Sequence, residues 1–111
     1  MTSRPSLAKP TRRVQVTEGI LVVTGSASIV NQLGMHARPA MSFVQLASGF
    51  QSNIRVRRSD STEWVDGKSI MQMLLLAATT GTTIEISCDG PDDARALTEV
   101  IQLIERKFDE D

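Results

Sequence analysis

Between Ile20 and Phe108 the apolar positions change their period several times, and each change marks an element. Val23, Gly25, Ala27 and Ile29 alternate with Thr24, Ser26 and Ser28, the period of two of a half-buried strand over Val23 to Val30, which Ile20 to Val22 can extend. Asn31 to Met35 is a polar, glycine-bearing loop. Beyond it Ala40, Phe43, Val44 and Ala47 recur at spacings of three and four, the core-facing stripe of a helix that begins near Ala37 and ends at Gly49. Asn53 to Arg57 alternates again, with Ile54 and Val56 set against Arg55 and Arg57. After a turn at Arg58 to Ser61, Glu63 to Asp66 can pair back as a short antiparallel strand with either Trp64 or Val65 inward, and Trp64 reads as a structural residue.

Ser69 to Leu76 is an apolar segment broken by Gln72, which predicts a short helix capped near Ser69 with Met73 and Leu75 in the core. Gly81 closes that passage. Thr82 to Cys88 is the clearest strand, because Ile84, Ile86 and Cys88 share one face; Cys88 is therefore expected to be buried and inert. A last helix follows Gly90-Pro91, with Pro91 in its first turn and Asp92 and Asp93 against the positive end of its dipole. Ala94, Leu97, Ile101, Ile104 and Phe108 form its stripe, and Arg106 and Lys107 complement its last turn. Strand, helix, strand, strand, helix, strand, helix, each strand with one apolar face, predicts an α+β open-faced sandwich with helices on one side of a sheet.

Length and charge narrow the picture. The 111 residues, 41% of them hydrophobic, suffice for one small core. The formal net charge of −1 hides an asymmetry: Arg4, Lys9, Arg12 and Arg13 all precede the first acid, Glu18. This divides the chain into a basic extension over residues 1–18, expected to be disordered, and a mildly acidic domain over 19–111. No apolar run is long enough to span a bilayer and no secretory signal follows the basic residues, so a cytoplasmic chain without membrane insertion is expected. One cysteine and one histidine leave no set of soft ligands for a metal site, and no glycine-rich nucleotide loop is present, so no metal and no cofactor are expected.

The chemistry gathers at Gly34-Met35-His36-Ala37-Arg38-Pro39-Ala40, which contains the only histidine. A histidine at the cap of a helix starting near Ala37 lies among amide N–H groups with no partner inside the helix, and such an end attracts anions. Pro39 falls in the first turn, where its missing N–H costs no helical bond, and Arg38 offers a guanidinium suited to phosphate oxygens. Nucleophile, amide nest and arginine together suggest reversible phosphorylation of His36, with the backbone of Ala37 and Arg38 binding the phosphoryl group.

Gly34 to Ala40, continuing through Phe43-Val44-Gln45-Leu46-Ala47-Ser48-Gly49-Phe50, resembles the active-site segment of the HPr family, the histidine-containing phosphocarriers of the bacterial phosphotransferase system. Gly67-Lys68-Ser69-Ile70-Met71 resembles that family's regulatory serine segment at nearly the expected distance. The resemblance implies a four-stranded antiparallel sheet under three helices, with His36 phosphorylated at Nδ1 by enzyme I charged from phosphoenolpyruvate. Arg38 would stabilise the phosphoryl group, and an enzyme IIA-type or IIB-type protein would accept it. The chain would thus be a stoichiometric carrier, likewise implied to be monomeric, and not a free-standing enzyme. Ser69 would be the target of an HPr kinase/phosphorylase. The family usually has lysines where this chain has Gln45, Ser48 and Gln72, a small polar residue at Leu33, and Leu or Ile at Met35.

Docking needs an apolar patch beside His36, and Met41, Ile70, Met71 and Leu74 are its candidates, with the resemblance favouring exposure of Ile70 and Met71. Two other classes stay open. One is a regulatory protein-binding module, based on Ser69 or belonging to a nitrogen-linked branch of the same system; the presence of His36 argues against a purely serine-based regulator. The other is a ferredoxin-like domain binding nucleic acid through Arg55, Arg57, Arg58 and the basic extension, which lacks an aromatic stacking platform; no nucleic acid is expected.

Overall fold

The computed structural model describes residues 13–17, 20–76 and 78–109. In chain order these form β1 (Arg13–Thr17), β2 (Ile20–Ser28), α1 (Ala37–Ser48), β3 (Asn53–Arg58), β4 (Val65–Asp66), α2 (Ile70–Leu75), β5 (Thr83–Asp89) and α3 (Asp93–Glu105), followed by a tight turn at Lys107–Asp109. The sheet is antiparallel throughout, in the order β1-β2-β5-β3-β4. Its four strands β2, β5, β3 and β4, with three helices, are the expected open-faced sandwich.

Register places the apolar positions on one face. Val23 lies opposite Cys88, Ala27 opposite Ile84, and Val56 opposite Ile86, all buried. Phe43 of α1, Met73 of α2, and Leu97, Val100 and Ile101 of α3 close over them. Cys88 is inert as expected: burial first, and then the nearby carboxylates of Asp93 and Asp92, push its thiol up to about 12, so no thiolate forms near neutral pH.

The fifth strand corrects the reading of residues 1–18 as wholly disordered. Arg13–Thr17 pairs with β2, from Thr17 opposite Ile20 to Arg13 opposite Thr24. Unpaired N–H and C=O groups on the edge of β2 invite an added strand, and the alternation of Val14 and Val16 in the sequence permits one. Residues 1–12 and 18 of that extension lie outside the described residues.

Other differences have local causes. Leu75, expected in the core, is 76% exposed: α2 has six residues and one inward position, which Met73 fills, and two residues further on a helix faces away. The buried arc of α3 comprises Ala96, Leu97, Val100, Ile101, Leu103 and Ile104, which leaves Ala94 at its half-buried margin. Arg106 is not in the last turn of α3 but caps it, and its Nε donates to Asp109 Oδ1 at 2.8 Å. The expected strand at Glu63 shortens to Val65–Asp66, so Val65 packs on the core and Trp64 is exposed. Trp64 is not an inward residue: the Arg57 guanidinium lies 5.1 Å from its ring centroid and bonds Glu85 Oε1 at 2.7 Å.

Pro91 precedes α3, which starts at Asp93 with Asp92 at its cap, yet the Asp92 carboxylate does not cap it. Instead it accepts from Gln51 N–H at 3.0 Å, Ser52 N–H at 3.0 Å and Ser52 Oγ at 2.6 Å, tying the end of α1 to the start of α3. The Ser52 hydroxyl and these two amides hold the carboxyl down from its ordinary 3.8 to about 2. Because the folded value is the lower one, this contact stabilises the fold above the unfolded pKa and is lost as pH falls from about 4 towards 2.

Gly67 is buried where its N–H donates to Ile54 O at 2.8 Å, and an added Cβ would lie 2.9 Å from Ile54 Cγ2 and 3.1 Å from Phe43 Cε1. Gly67→Ala is expected to lower stability in urea unfolding by about 1–3 kcal/mol through overpacking, with the m-value unchanged. Asp92→Asn is expected to melt a few degrees below the natural chain at pH 7, and the two melting points should converge as pH is lowered through the window from about 4 to 2. A gap that persists at the acid end would assign the loss to packing rather than charge.

Candidate functional site

The loop between β2 and α1 is built from a buried amide. Asn31 is fully buried; its Nδ2 donates to Gly34 O at 2.8 Å and its own carbonyl accepts from Gly34 N–H at 3.2 Å. Gly34 adopts φ +71° and lies so close to the chain at Ala78 and Thr79 that a Cβ would meet Ala78 O at 2.6 Å. Met35 N–H donates to Ala78 O at 2.8 Å, and Thr80 Oγ1 reaches Asn31 O at 2.5 Å and Gln32 O at 2.7 Å. The loop is thereby fixed to the connection between α2 and β5.

This attachment delivers His36 to the N-cap of α1 with extended backbone, φ −98° and ψ −168°. Its carbonyl accepts the first helical bond, from Ala40 N–H at 2.9 Å, while its imidazole makes no capping bond to the helix. The side chain is half-buried. Ala37 and Arg38, the first two helical residues, are exposed, and Pro39, the third, is buried and has no N–H to leave unsatisfied. The amides of Ala37 and Arg38 therefore point out of the helix end beside His36, where partial positive charge collects. The Arg38 side chain has no ion pair or hydrogen bond among the described residues. The arrangement offers an imidazole nucleophile, two amide donors and a guanidinium to an incoming phosphoryl group. Among the described residues no group of His, Cys, Asp or Glu could hold a metal ion, and no helix is long and apolar enough to cross a membrane.

Ser69 caps α2, its Oγ accepting from Gln72 N–H at 3.2 Å. It is not beside His36. Lys68 Nζ donates to Phe50 O at 2.8 Å, just past the end of α1, whereas the chain beyond α2 meets Met35 at the start of α1. The two helices thus run antiparallel, and Ser69 lies towards the far end of α1, a helix about 18 Å long for its twelve residues. Met41 on α1 and Ile70, Met71 and Leu74 on α2 are all exposed on this adjoining pair of helices, Met71 most of all at 74%. Sequence reasoning overlooked Asn31, Thr80 and Lys68, which fix the loop and the helix ends. An asparagine three residues before a glycine was the one legible sign.

A family model described as the PTS HPr component phosphorylation site matches residues 23–106. The chain is 46% identical over 85 residues to the phosphocarrier protein HPr of Neisseria meningitidis, covering 77% of this chain and 93% of that relative. It is 38% identical over 91 residues to the phosphocarrier protein NPr of Escherichia coli, covering 82% of this chain and 100% of the relative. The crystal structure of HPr-C-His from Thermoanaerobacter tengcongensis matches with a TM-score of 0.73 at 39% identity, over 79% of this chain and 97% of that one. With the same fold, the same motif segment and this extent of identity, the chain belongs to the HPr family of phosphocarrier proteins.

Proposed function

We propose that His36 is the residue on which this phosphocarrier holds its phosphoryl group, taking it from phosphorylated enzyme I and passing it to enzyme IIA-type or IIB-type acceptors. The observation that carries this reading is the half-buried imidazole at the N-cap of α1, with the amides of Ala37 and Arg38 at the same helix end. In the transfer, Nδ1 of neutral His36 forms a bond to phosphorus as the bond from phosphorus to the donor side chain breaks, while the proton on Nε2 stays in place. The phosphorylated imidazole is then a cation carrying an anionic phosphoryl group; when an acceptor attacks phosphorus the P–Nδ1 bond breaks and imidazole, with its proton still on Nε2, is the good leaving group. Amide dipoles and Arg38 stabilise the negative oxygens, so the carrier supplies position and charge and no turnover of its own. Such work with phosphoenolpyruvate as the ultimate donor belongs in the cytoplasm.

Match along the whole length of an NPr protein favours a second reading, service in a nitrogen-linked branch, with the same chemistry at His36. Ser69 serves as a regulatory site only if a kinase of the HPr kinase/phosphorylase type takes its hydroxyl from the cap, where it now accepts from Gln72 N–H. Met41, Ile70, Met71 and Leu74, exposed on α1 and α2, form the docking patch for these partners.

Incubation with phosphoenolpyruvate, magnesium and enzyme I should add one acid-labile phosphoryl group to the natural chain by intact mass and none to His36→Ala. No gain with an active cognate enzyme I overturns the reading. Ser69→Ala should lose about 0.5–2 kcal/mol in chemical denaturation, the ordinary worth of an N-cap, while still accepting phosphoryl at His36.

A further inference from the structure

Leu33 is held open to solvent, 72% exposed, on the turn that precedes His36. Isolated exposed leucines are ordinary, but this one stands on a turn tied at both ends. Asn31 and Gly34 bond each other in both directions, Thr80 Oγ1 holds Asn31 O and Gln32 O, and Gly34 is pressed against Ala78 and Thr79. The backbone around Leu33 therefore loses little conformational freedom when a surface closes on it, which makes it a preorganised contact. Its Cα is at most about 11 Å from that of His36, three residues along the chain.

Direct phosphoryl transfer brings donor atom and imidazole to within about 3–3.5 Å, so the exchanging protein must cover the loop from which His36 projects. Covering it removes the exposed leucine from water and keeps water away from the labile P–N bond. We propose that Leu33 is an apolar anchor for the phosphoryl-exchange partner, seated in an apolar depression beside that partner's phosphoryl-bearing side chain, and that it governs which partners exchange with this carrier. The inference rests on His36 as the phosphoryl site.

The test compares the natural chain with Leu33→Ser and Leu33→Met in steady-state phosphorylation by enzyme I. Leu33→Ser should raise KM for the carrier about five- to twentyfold with kcat little changed, and Leu33→Met should stay near the natural value. Phosphorylation of His36 by phosphoramidate, a small donor that needs no protein surface, should proceed at the same rate in all three chains. An unchanged KM overturns the proposal, as does an equal loss with phosphoramidate, which would make Leu33 a positioning residue of the loop. A concentration-dependent dimer of the natural chain that Leu33→Ser dissolves overturns it in favour of a second copy as the occupant. If the natural chain takes no phosphoryl group at all, the reading of His36 fails first and this inference falls with it.

Discussion

The contact between Gly34-Met35 and Ala78 fixes where α1 begins. It joins the loop after β2 to the connection before β5, two strands already paired in the sheet. Only a glycine fits at Gly34, and the buried Asn31 amide fills the space within the turn. With that junction made, His36 can occupy only the cap of α1, and the stripe of α1 can meet only the apolar face of the sheet. Disturbing it would move the candidate nucleophile and the exposed Leu33 together.

At the helix end the electrostatics come from backbone as much as from side chains. Two amide N–H groups point outward there by helix geometry alone, and the guanidinium of Arg38 adds a full charge on an exposed arm. The carboxylates that organise the fold are placed elsewhere: Asp92 secures the opposite end of α1, and Glu85 is engaged by Arg57 on the open face of the sheet. An anionic phosphoryl group at His36 therefore meets donors rather than these acids.

Much of this was legible in the sequence where one physical rule acted alone. Alternation at Ile84, Ile86 and Cys88 gave the right strand and face, since a one-residue slip would have exposed all three. The spacing of Ala40, Phe43, Val44 and Ala47 gave α1 its inward stripe. Ser69 was read as a cap and is one. Reading failed where tertiary context decided between equal local choices. Leu75 differs from Leu76 only in the angle at which a six-residue helix presents it, and β1 exists because β2 had an unpaired edge. The motif around His36 marked the candidate site, but not the buried asparagine and the threonine from a distant loop that hold its loop in place.

The decisive property of the molecule is the atom to which phosphorus is bound. Nitrogen-15 and phosphorus NMR on the chain phosphorylated by enzyme I measures this directly. The prediction is a phosphorus–nitrogen coupling at Nδ1 of His36, with the largest amide shifts at Ala37 and Arg38. Phosphorus bound to oxygen at Ser69, or to nitrogen with no response from those two amides, would contradict it.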